Sequence, residues 1–243
     1  MQIAAVQKLT LLDFPGKTAC TVFVPGCNFR CGYCHNPELV EPKLVEKTVK
    51  NLISEEDFFA FLAKRKGMLD GVCITGGEPT LQKDLLEFLK QIRKRGFLVK
   101  LDTNGSQPEI LEKLFKARLL DYIALDVKAS PENYKKLVGV DVLEKVQSSK
   151  NLIMQSGVSY EFRTTLVKEL VDGEEWKNIL EFVKGAEKFF LQNFEGKRGC
   201  LDSAFEKYHG FTKKELEKMC GEAKEIVGKC GVRSWFYYVD VLK

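Results

Sequence analysis

The chain has 243 residues, and 38 Lys and Arg against 34 Asp and Glu give it a net charge of +4. This excess is too small and too dispersed to indicate nucleic-acid binding, and no run of eighteen apolar residues predicts a membrane span. The N-terminus lacks a basic segment followed by an uninterrupted apolar one, so we expect no signal peptide and a cytoplasmic protein. A chain of this length can bury its core as one domain, which we predict over residues 1–243.

Short β-rich runs alternate with helical patterns along most of the chain. The first predicted strand, at 18–26, precedes a helix at 54–67 whose capping residues are Ser54 and Asp57. Further strands are predicted at 70–77, 97–102, 121–127, 158–167 and 188–193. Further helices are predicted at 82–95, 107–117, 131–155 and 173–186, the last of them capped by Asp172.

The C-terminal residues follow a different pattern. A loop at 195–211 precedes a helix that begins at Thr212, and the run "VRSWFYYVDV" (232–241) predicts a β-rich end. No repeat or Pro/Gly-rich linker sets this part of the chain aside. We therefore expect a core of about 18–195 and a C-terminal extension of about 196–243 within the same domain.

The alternation of strands and helices predicts the fold class. Strands separated by helices of this length form a parallel sheet with right-handed crossovers. The pattern contains six β/α units, whereas a closed barrel of this kind has eight. We therefore predict an α/β fold, a partial (β/α)6 barrel open on one side, with a C-terminal helix and a β-rich tail.

Eight cysteines stand at positions 20, 27, 31, 34, 73, 200, 220 and 230. Without a secretion signal, clustered cysteines indicate metal binding and not disulfides. Cys20 and Cys73 lie within apolar strands and are predicted to be small core residues. Cys200, Cys220 and Cys230 lack metal-ligand spacing, and one helix would place Cys220 and Cys230 on different faces. No site is predicted for these three.

The stretch "VPGCNFRCGYCHNPE" (24–38) carries the candidate metal site. A structural zinc would need His35 beside Cys34 as its fourth ligand, and adjacent residues are poorly placed to bind one ion. An iron–sulfur cluster held by Cys27, Cys31 and Cys34, with its fourth corner open to an exogenous ligand, is the favoured interpretation. A zinc-binding interaction module without catalysis is the alternative.

These motifs resemble a known superfamily. C-x3-C-x2-C with Tyr33 directly before the last cysteine resembles the signature of the radical S-adenosylmethionine (SAM) enzymes. The continuation "CHNPE" and the preceding "LTLLDFPGKTACTVFVPGC" resemble the activating enzymes of glycyl radical proteins, in particular those of anaerobic ribonucleoside-triphosphate reductases. The resemblance covers roughly residues 8–195. It implies one 4Fe-4S cluster on Cys27, Cys31 and Cys34, with SAM at the open iron.

The resemblance also implies the reaction. A one-electron donor such as flavodoxin or ferredoxin reduces the cluster, SAM is cleaved to methionine and a 5′-deoxyadenosyl radical, and that radical takes a hydrogen from a glycine of an anaerobic ribonucleotide reductase. The three cysteines would be catalytic through the cluster. An enzyme that acts on a small molecule, similar to 7-carboxy-7-deazaguanine synthase, is the alternative within the superfamily.

The turn "GGE" follows the second predicted strand, at the end where a barrel places its site. Gly76 and Gly77 allow the backbone to approach a ligand closely, and Glu78 can accept from an ammonium group. As residues alone, they equally suit an ordinary tight turn. The resemblance implies that this element binds the methionine amino group of SAM.

Two aspartates end the next two strands, Asp102 in "LDTNG" and Asp126 in "LDVK". They should lie side by side, and a pocket that also takes the methionine carboxylate needs a balancing cation, either Lys128 or a bound monovalent ion. The Asp-Thr-Asn-Gly run is also typical of a turn. The resemblance implies cofactor roles for Asp102, Asn104, Asp126 and Lys128, and ribose binding by Asp126 is left open.

Arg163 lies among apolar neighbours on a predicted strand, where an unpaired guanidinium would be costly to bury. It should therefore pair with an acid, either Asp126 or Glu78, or contact the cofactor directly.

As residues alone, Tyr33 and His35 suit ordinary packing. The resemblance implies instead that they line an adenine pocket. Related activases commonly have a histidine near the end of strand six, where this chain has Gln192, Asn193 and Glu195. Gln192 is the candidate ribose contact.

Overall fold

Eight strands form one sheet in which each strand pairs with its neighbours in chain order. The computed structural model describes residues 1–233. The strands are β1 (Ala5–Thr10), β2 (Ala19–Val24), β3 (Gly71–Gly76), β4 (Leu98–Thr103), β5 (Tyr122–Asp126), β6 (Ser159–Leu166), β7 (Lys188–Asn193) and β8 (Lys229–Arg233). β1 pairs with β2 in antiparallel fashion, and every other pair is parallel.

Eight α-helices are present in the described residues. They are α1 (Pro42–Thr48), α2 (Glu55–Lys64), α3 (Leu85–Lys94), α4 (Pro108–Lys116), α5 (Tyr134–Val138), α6 (Leu143–Gln155), α7 (Gly173–Val183) and α8 (Lys213–Lys224). The single helix predicted at 131–155 is divided into α5 and α6, because Gly139 adopts a left-handed φ of 80° and ends α5. Within residues 1–233, no helix combines the length and the apolar character that crossing a membrane requires.

The prediction of a partial barrel is confirmed. β2 to β7 are the six predicted parallel strands, and β1 and β8 lie at the two edges of an open sheet. β1 was not predicted, and β8 extends the parallel sheet with a seventh parallel strand. Gln7 of β1 and Arg233 of β8 line the same cavity, so the sheet curves around it. Most of the β-rich run at 232–241 lies outside the described residues.

The core surrounds the central strands on both faces. All six residues of β2 are buried, and the apolar stripe of α3, formed by Leu85, Phe88, Leu89 and Ile92, packs onto the sheet. β2 has one polar residue, Thr21, whereas β4 buries Lys100 and Asp102 and β6 buries Glu161 and Arg163. The carboxyl ends of the strands line the cavity that holds the site.

The prediction for Cys220 and Cys230 was wrong. α8 ends at Lys224 and the chain turns into β8, so Cys230 lies on a strand, and burial, with Cys220 beside it, raises the pKa of its thiol. Both are buried, as are Cys20 and Cys73, the predicted core cysteines.

The N-cap of α7 generates a stability prediction. Asp172 accepts from the backbone N–H groups of Glu174 at 3.0 Å and Glu175 at 2.8 Å. Asp172→Ala removes both acceptors and should lower the free energy of unfolding by about 1 kcal/mol in urea denaturation. Asp84→Ala is the matched control, because Asp84 caps α3 without a side-chain hydrogen bond. Equal losses in the two variants would contradict the capping role.

Candidate active site

One cavity lies at the carboxyl ends of the parallel strands. Between β2 and α1, residues 25–36 form the cluster loop, and they meet the turns after β3, β4 and β5 there. Every residue predicted for the site lines this cavity: Cys27, Cys31, Tyr33, Cys34, His35, Gly76, Gly77, Glu78, Asp102, Asn104, Asp126, Lys128 and Arg163. The structure thus brings the predicted residues together, and their individual contacts with a cofactor stay predictions.

The three loop cysteines lie in a tightly hydrogen-bonded turn. The Cys34 N–H donates to the Cys31 carbonyl at 3.0 Å, and the Phe29 N–H donates to Cys27 Sγ at 3.4 Å. Burial raises the pKa of Cys27 to about 11 and that of Cys31 to about 12, against the opposing charge of Lys128. Because metal ligands are thiolates, binding of a metal group here releases protons.

The geometry does not fit a single structural zinc. Among residues 1–233, no three His, Cys, Asp or Glu side chains converge as ligands of one ion. His35 Nδ1 lies 2.9 Å from the Gly199 carbonyl oxygen, and its ring stacks on Phe194 with centroids 5.3 Å apart. Three thiols that share a cavity without converging on a point fit a larger group, such as an iron–sulfur cluster.

The glycines after β3 allow two backbones to approach each other. A Cβ on Gly77 would lie 2.1 Å from the Gly26 carbonyl oxygen, and Gly76 has a φ of 116°. The Gly77 N–H donates to Val24 O at 2.8 Å, and the Glu78 N–H donates to Gly26 O at 2.7 Å. The close approach observed is therefore to the start of the cluster loop, a role that the sequence interpretation did not include.

Glu78 joins this turn to the segment that follows β4. Its Oε1 accepts from Thr103 Oγ1 at 2.7 Å, and its Oε2 accepts from the Asn104 N–H at 2.7 Å. Burial raises the pKa of Glu78, although these donors oppose the rise. Asn104 in turn donates to Asn28 Oδ1 at 3.0 Å and to Cys27 Sγ at 3.9 Å. The predicted acceptor for an ammonium group thus also orders the cluster loop.

Arg163 links the two aspartates, which lie side by side as predicted. Its Nε donates to Asp126 Oδ1 at 2.8 Å and its guanidinium NH1 to Asp102 Oδ2 at 3.0 Å. Lys128 Nζ is 3.1 Å from Asp126 Oδ2. Of the partners left open for Arg163, the structure has Asp126 and not Glu78, with Asp102 in addition.

Three further charged residues of this network escaped the sequence interpretation. Lys100 is fully buried on β4 and pairs with Asp102, while Glu161 on β6 accepts from Arg233 at 2.7 Å. A usable signal was present for two of them, because alternate residues of a strand share a face and "VKLD" and "YEFR" each place two charges on one side. Arg233 carried no such signal.

Acids and cations are present in nearly equal number in the network and the cavity around it. Although burial opposes ionisation, the nearby cations hold the pKa values of Asp102 and Asp126 below their usual range. Asp102, Asp126 and Glu161 face four cations, Lys100, Lys128, Arg163 and Arg233, and two further acids, Asp13 and Glu78, line the cavity. Lys128 and Arg163 are the cations of the lining that suit a ligand with a carboxylate, and a bound monovalent cation stays an untested prediction.

Aromatic side chains form another wall of the cavity. Tyr33 packs edge-on against Phe194 with centroids 6.4 Å apart, and its buried hydroxyl has no hydrogen-bond partner among the described residues. A buried hydroxyl of this kind is normally satisfied, which is consistent with a ligand beside it.

Of the three polar residues at the end of β7, Gln192 is the one that lines the cavity. Asn193 is bonded to the backbone of Phe211, at 2.8 and 2.9 Å, and Glu195 pairs with Arg198 at 2.9 Å. Gln192 stays the candidate ribose contact.

Removing the central cation tests the network. Arg163→Met leaves Asp102 and Asp126 with less compensation in a buried site and should lower the free energy of unfolding by about 3–5 kcal/mol near neutral pH. Both aspartate pKa values are depressed, so their stabilisation is present above the unfolded pKa and lost as pH falls through the folded values. The deficit of the variant should therefore shrink in acid.

Urea denaturation across pH measures this effect, with Lys116→Met as the control because Lys116 forms an exposed pair with Glu112. A deficit that is small at neutral pH, or one that grows in acid, would contradict the assignment.

The sequence is similar to those of known proteins. The Radical SAM superfamily model matches residues 21–183. A Methanocaldococcus jannaschii protein described as a glycyl-radical enzyme activating enzyme is 33% identical over 238 residues, which cover 96% of this chain and 95% of that protein. A Thermococcus kodakarensis protein described as a GTP 3′,8-cyclase is 30% identical over 207 residues, which cover 82% of this chain and 65% of that protein.

The fold is shared with a solved structure of the same superfamily. Streptococcus suis SuiB bound to S-adenosylmethionine matches with a TM-score of 0.65 at 15% identity, over 88% of this chain and 51% of SuiB. Radical SAM enzymes use a 4Fe-4S cluster and SAM, and the residues present fit both groups. Three thiols share one loop, the Tyr33 hydroxyl has no hydrogen-bond partner among the described residues, and Lys128 and Arg163 in the lining suit a carboxylate. The chain belongs to the radical SAM superfamily.

Proposed function

We propose that this enzyme activates a glycyl radical protein, and that its target is an anaerobic ribonucleotide reductase. The observation that carries the proposal is a cavity with the three cluster cysteines in its wall and the exposed Leu12 in the same lining. Similarity to the Methanocaldococcus jannaschii protein along nearly the whole chain supports the activase class. The choice of reductase is supported by the motifs "LTLLDFPGKTACTVFVPGC" and "CHNPE".

The residues of the cavity have separate tasks in this proposal. When bound, the cluster supplies the electron that splits SAM into methionine and a 5′-deoxyadenosyl radical. Cys27, Cys31 and Cys34 hold the cluster, and the Arg163 network presents fixed charges to the methionine end of SAM. Tyr33 and His35 form the wall for the adenine. Their packing would exclude water from this wall of the cavity and help to orient the 5′ carbon of SAM toward the substrate.

An exposed apolar patch supports a protein substrate. Leu9, Leu11 and Leu12 are 56%, 67% and 52% exposed, and Leu12 also lines the cavity. Adjoining exposed leucines of this kind are typical of surfaces that another protein covers. The patch is continuous with the site, so a partner seated on it would bring a loop to the cavity.

A small-molecule substrate is the second candidate. The similarity to a GTP 3′,8-cyclase supports it, and so does Arg233, a cation in the cavity lining. A phosphorylated heterocycle would use that charge. The natural electron donor, for which flavodoxin and ferredoxin are our candidates, is common to both proposals.

Loss of one cluster ligand is the simplest test of the chemistry. Cys31→Ala should reduce 5′-deoxyadenosine formation from SAM under dithionite to background, because two thiolates do not hold the cluster in place. Cys20→Ala is the control, since Cys20 is a buried core cysteine on β2. Sustained 5′-deoxyadenosine formation by the Cys31 variant would refute the assignment of the cluster.

The leucine patch makes a second prediction. Leu11→Ser should lower glycyl radical formation on an anaerobic ribonucleotide reductase roughly tenfold at limiting reductase, because a contact worth about 1.4 kcal/mol is lost. Cleavage of SAM without the reductase should not change. Met68→Ser is the control, because Met68 is 61% exposed and lies outside the cavity lining. Equal effects of the two substitutions would contradict a docking role for the patch.

Anaerobic electron paramagnetic resonance separates the two candidate functions. A mixture of the protein, SAM, a reductant and the reductase should give a glycine-centred doublet in proportion to the protein added. Consumption of GTP with no doublet on the reductase would favour the small-molecule function instead.

A further inference from the structure

A segment beyond β7 folds back across the cluster loop. We call residues 199–205 the strap. The Leu201 N–H donates to the Cys34 carbonyl at 2.9 Å, and the Asp202 N–H donates to the Gly32 carbonyl at 3.0 Å. The Gly199 carbonyl lies 2.9 Å from His35 Nδ1. Backbone groups of the strap thus hold three of the four residues from Gly32 to His35.

An aromatic contact adds to these hydrogen bonds. The ring of Phe205 lies directly over Gly32, where a Cβ would meet it at 2.3 Å. The same ring packs against Tyr33, with centroids 6.3 Å apart, and against Tyr208 at 4.8 Å. Gly32 has no positive φ, so the ring over it, and not the local backbone, excludes a side chain there.

The strap is itself ordered internally and anchored beyond its C-terminal end. Asp202 Oδ1 accepts from the Ala204 N–H at 2.9 Å and begins a short 3-10 helix, Ser203–Lys207. Beyond it, Asn193 of β7 bonds to both backbone groups of Phe211. The segment that returns to the cluster loop is therefore tied to the sheet, and it can transmit the rigidity of the sheet to the loop.

We propose that the strap is a positioning element for the cluster. It holds the turn that contains Cys31 and Cys34, so that both thiols face the cavity before the cluster is inserted and remain there afterwards. Removing a group that orients a metal ligand from outside typically lowers metal affinity about tenfold to hundredfold. The strap lies outside residues 21–183, which the superfamily model matches, and the inference holds whichever substrate the enzyme takes.

A glycine-to-alanine exchange under Phe205 tests the proposal. In Gly32→Ala the new methyl group must displace the ring, and with it the strap. Iron release from the anaerobically reconstituted protein to a ferrous chelator should become roughly tenfold to hundredfold faster. In the cluster-free protein, hydrogen exchange at the Leu201 and Asp202 amides should also accelerate.

Rescue distinguishes positioning from a general loss of stability. Gly32→Ala/Phe205→Ala leaves room for the methyl group, so iron release should return to the rate of the Phe205→Ala variant. Gly221→Ala is the matched control, because Gly221 has open space around its Cα, and it should release iron at the wild-type rate.

A second variant removes a hydrogen bond instead of adding bulk. Leu201→Pro deletes the donor to Cys34 and should also accelerate iron release. Wild-type release rates in both Gly32→Ala and Leu201→Pro would overturn the proposal. Because the chelator assay needs neither SAM nor a partner protein, its outcome is independent of the proposed activase function.

Discussion

The contact between the turn after β3 and the start of the cluster loop is the constraint on which the site depends. Gly77 lies against Gly26 with no space for a side chain, so the first cluster cysteine follows directly from a backbone held by its neighbouring strand. Glu78 then extends the connection to Asn104, which reaches back to Cys27. These contacts fix the cluster loop to the ends of β3 and β4.

Electrostatics imposes the second requirement. Carboxylates and cations are buried together where the strands end, and each would be costly without the others. Arg163 bonds to two aspartates at once: Asp126 is its register partner on β5, and Asp102 lies on the next strand, in register with Ala124. Lys128 and Arg163 are cations of the cavity lining that suit the negative group of a ligand, and the fixed ion pairs leave little freedom for those charges to rearrange when it binds.

The C-terminal residues complete the site from outside the superfamily match. Arg233 on β8 reaches Glu161 within the network, and the strap covers the outer side of the cluster loop. The strand ends of the barrel therefore line the cavity, while the C-terminal extension is hydrogen-bonded to the cluster loop. Leu12, which is 52% exposed, lies in the lining of the same cavity.

The sequence by itself determined the order of parallel strands and the residues that line the cavity, because both depend on local patterns: apolar runs, turn residues and the spacing of Cys27, Cys31 and Cys34. It did not determine β1, whose residues are half polar and whose pairing depends on β2. Partners that meet across the sheet, such as Arg233 of β8 with Glu161 of β6, were decided by the tertiary structure. The tertiary structure also decided the position of the strap. Its backbone groups bond to residues more than 160 positions earlier in the chain, and the spacing of side chains in the sequence does not indicate such bonds.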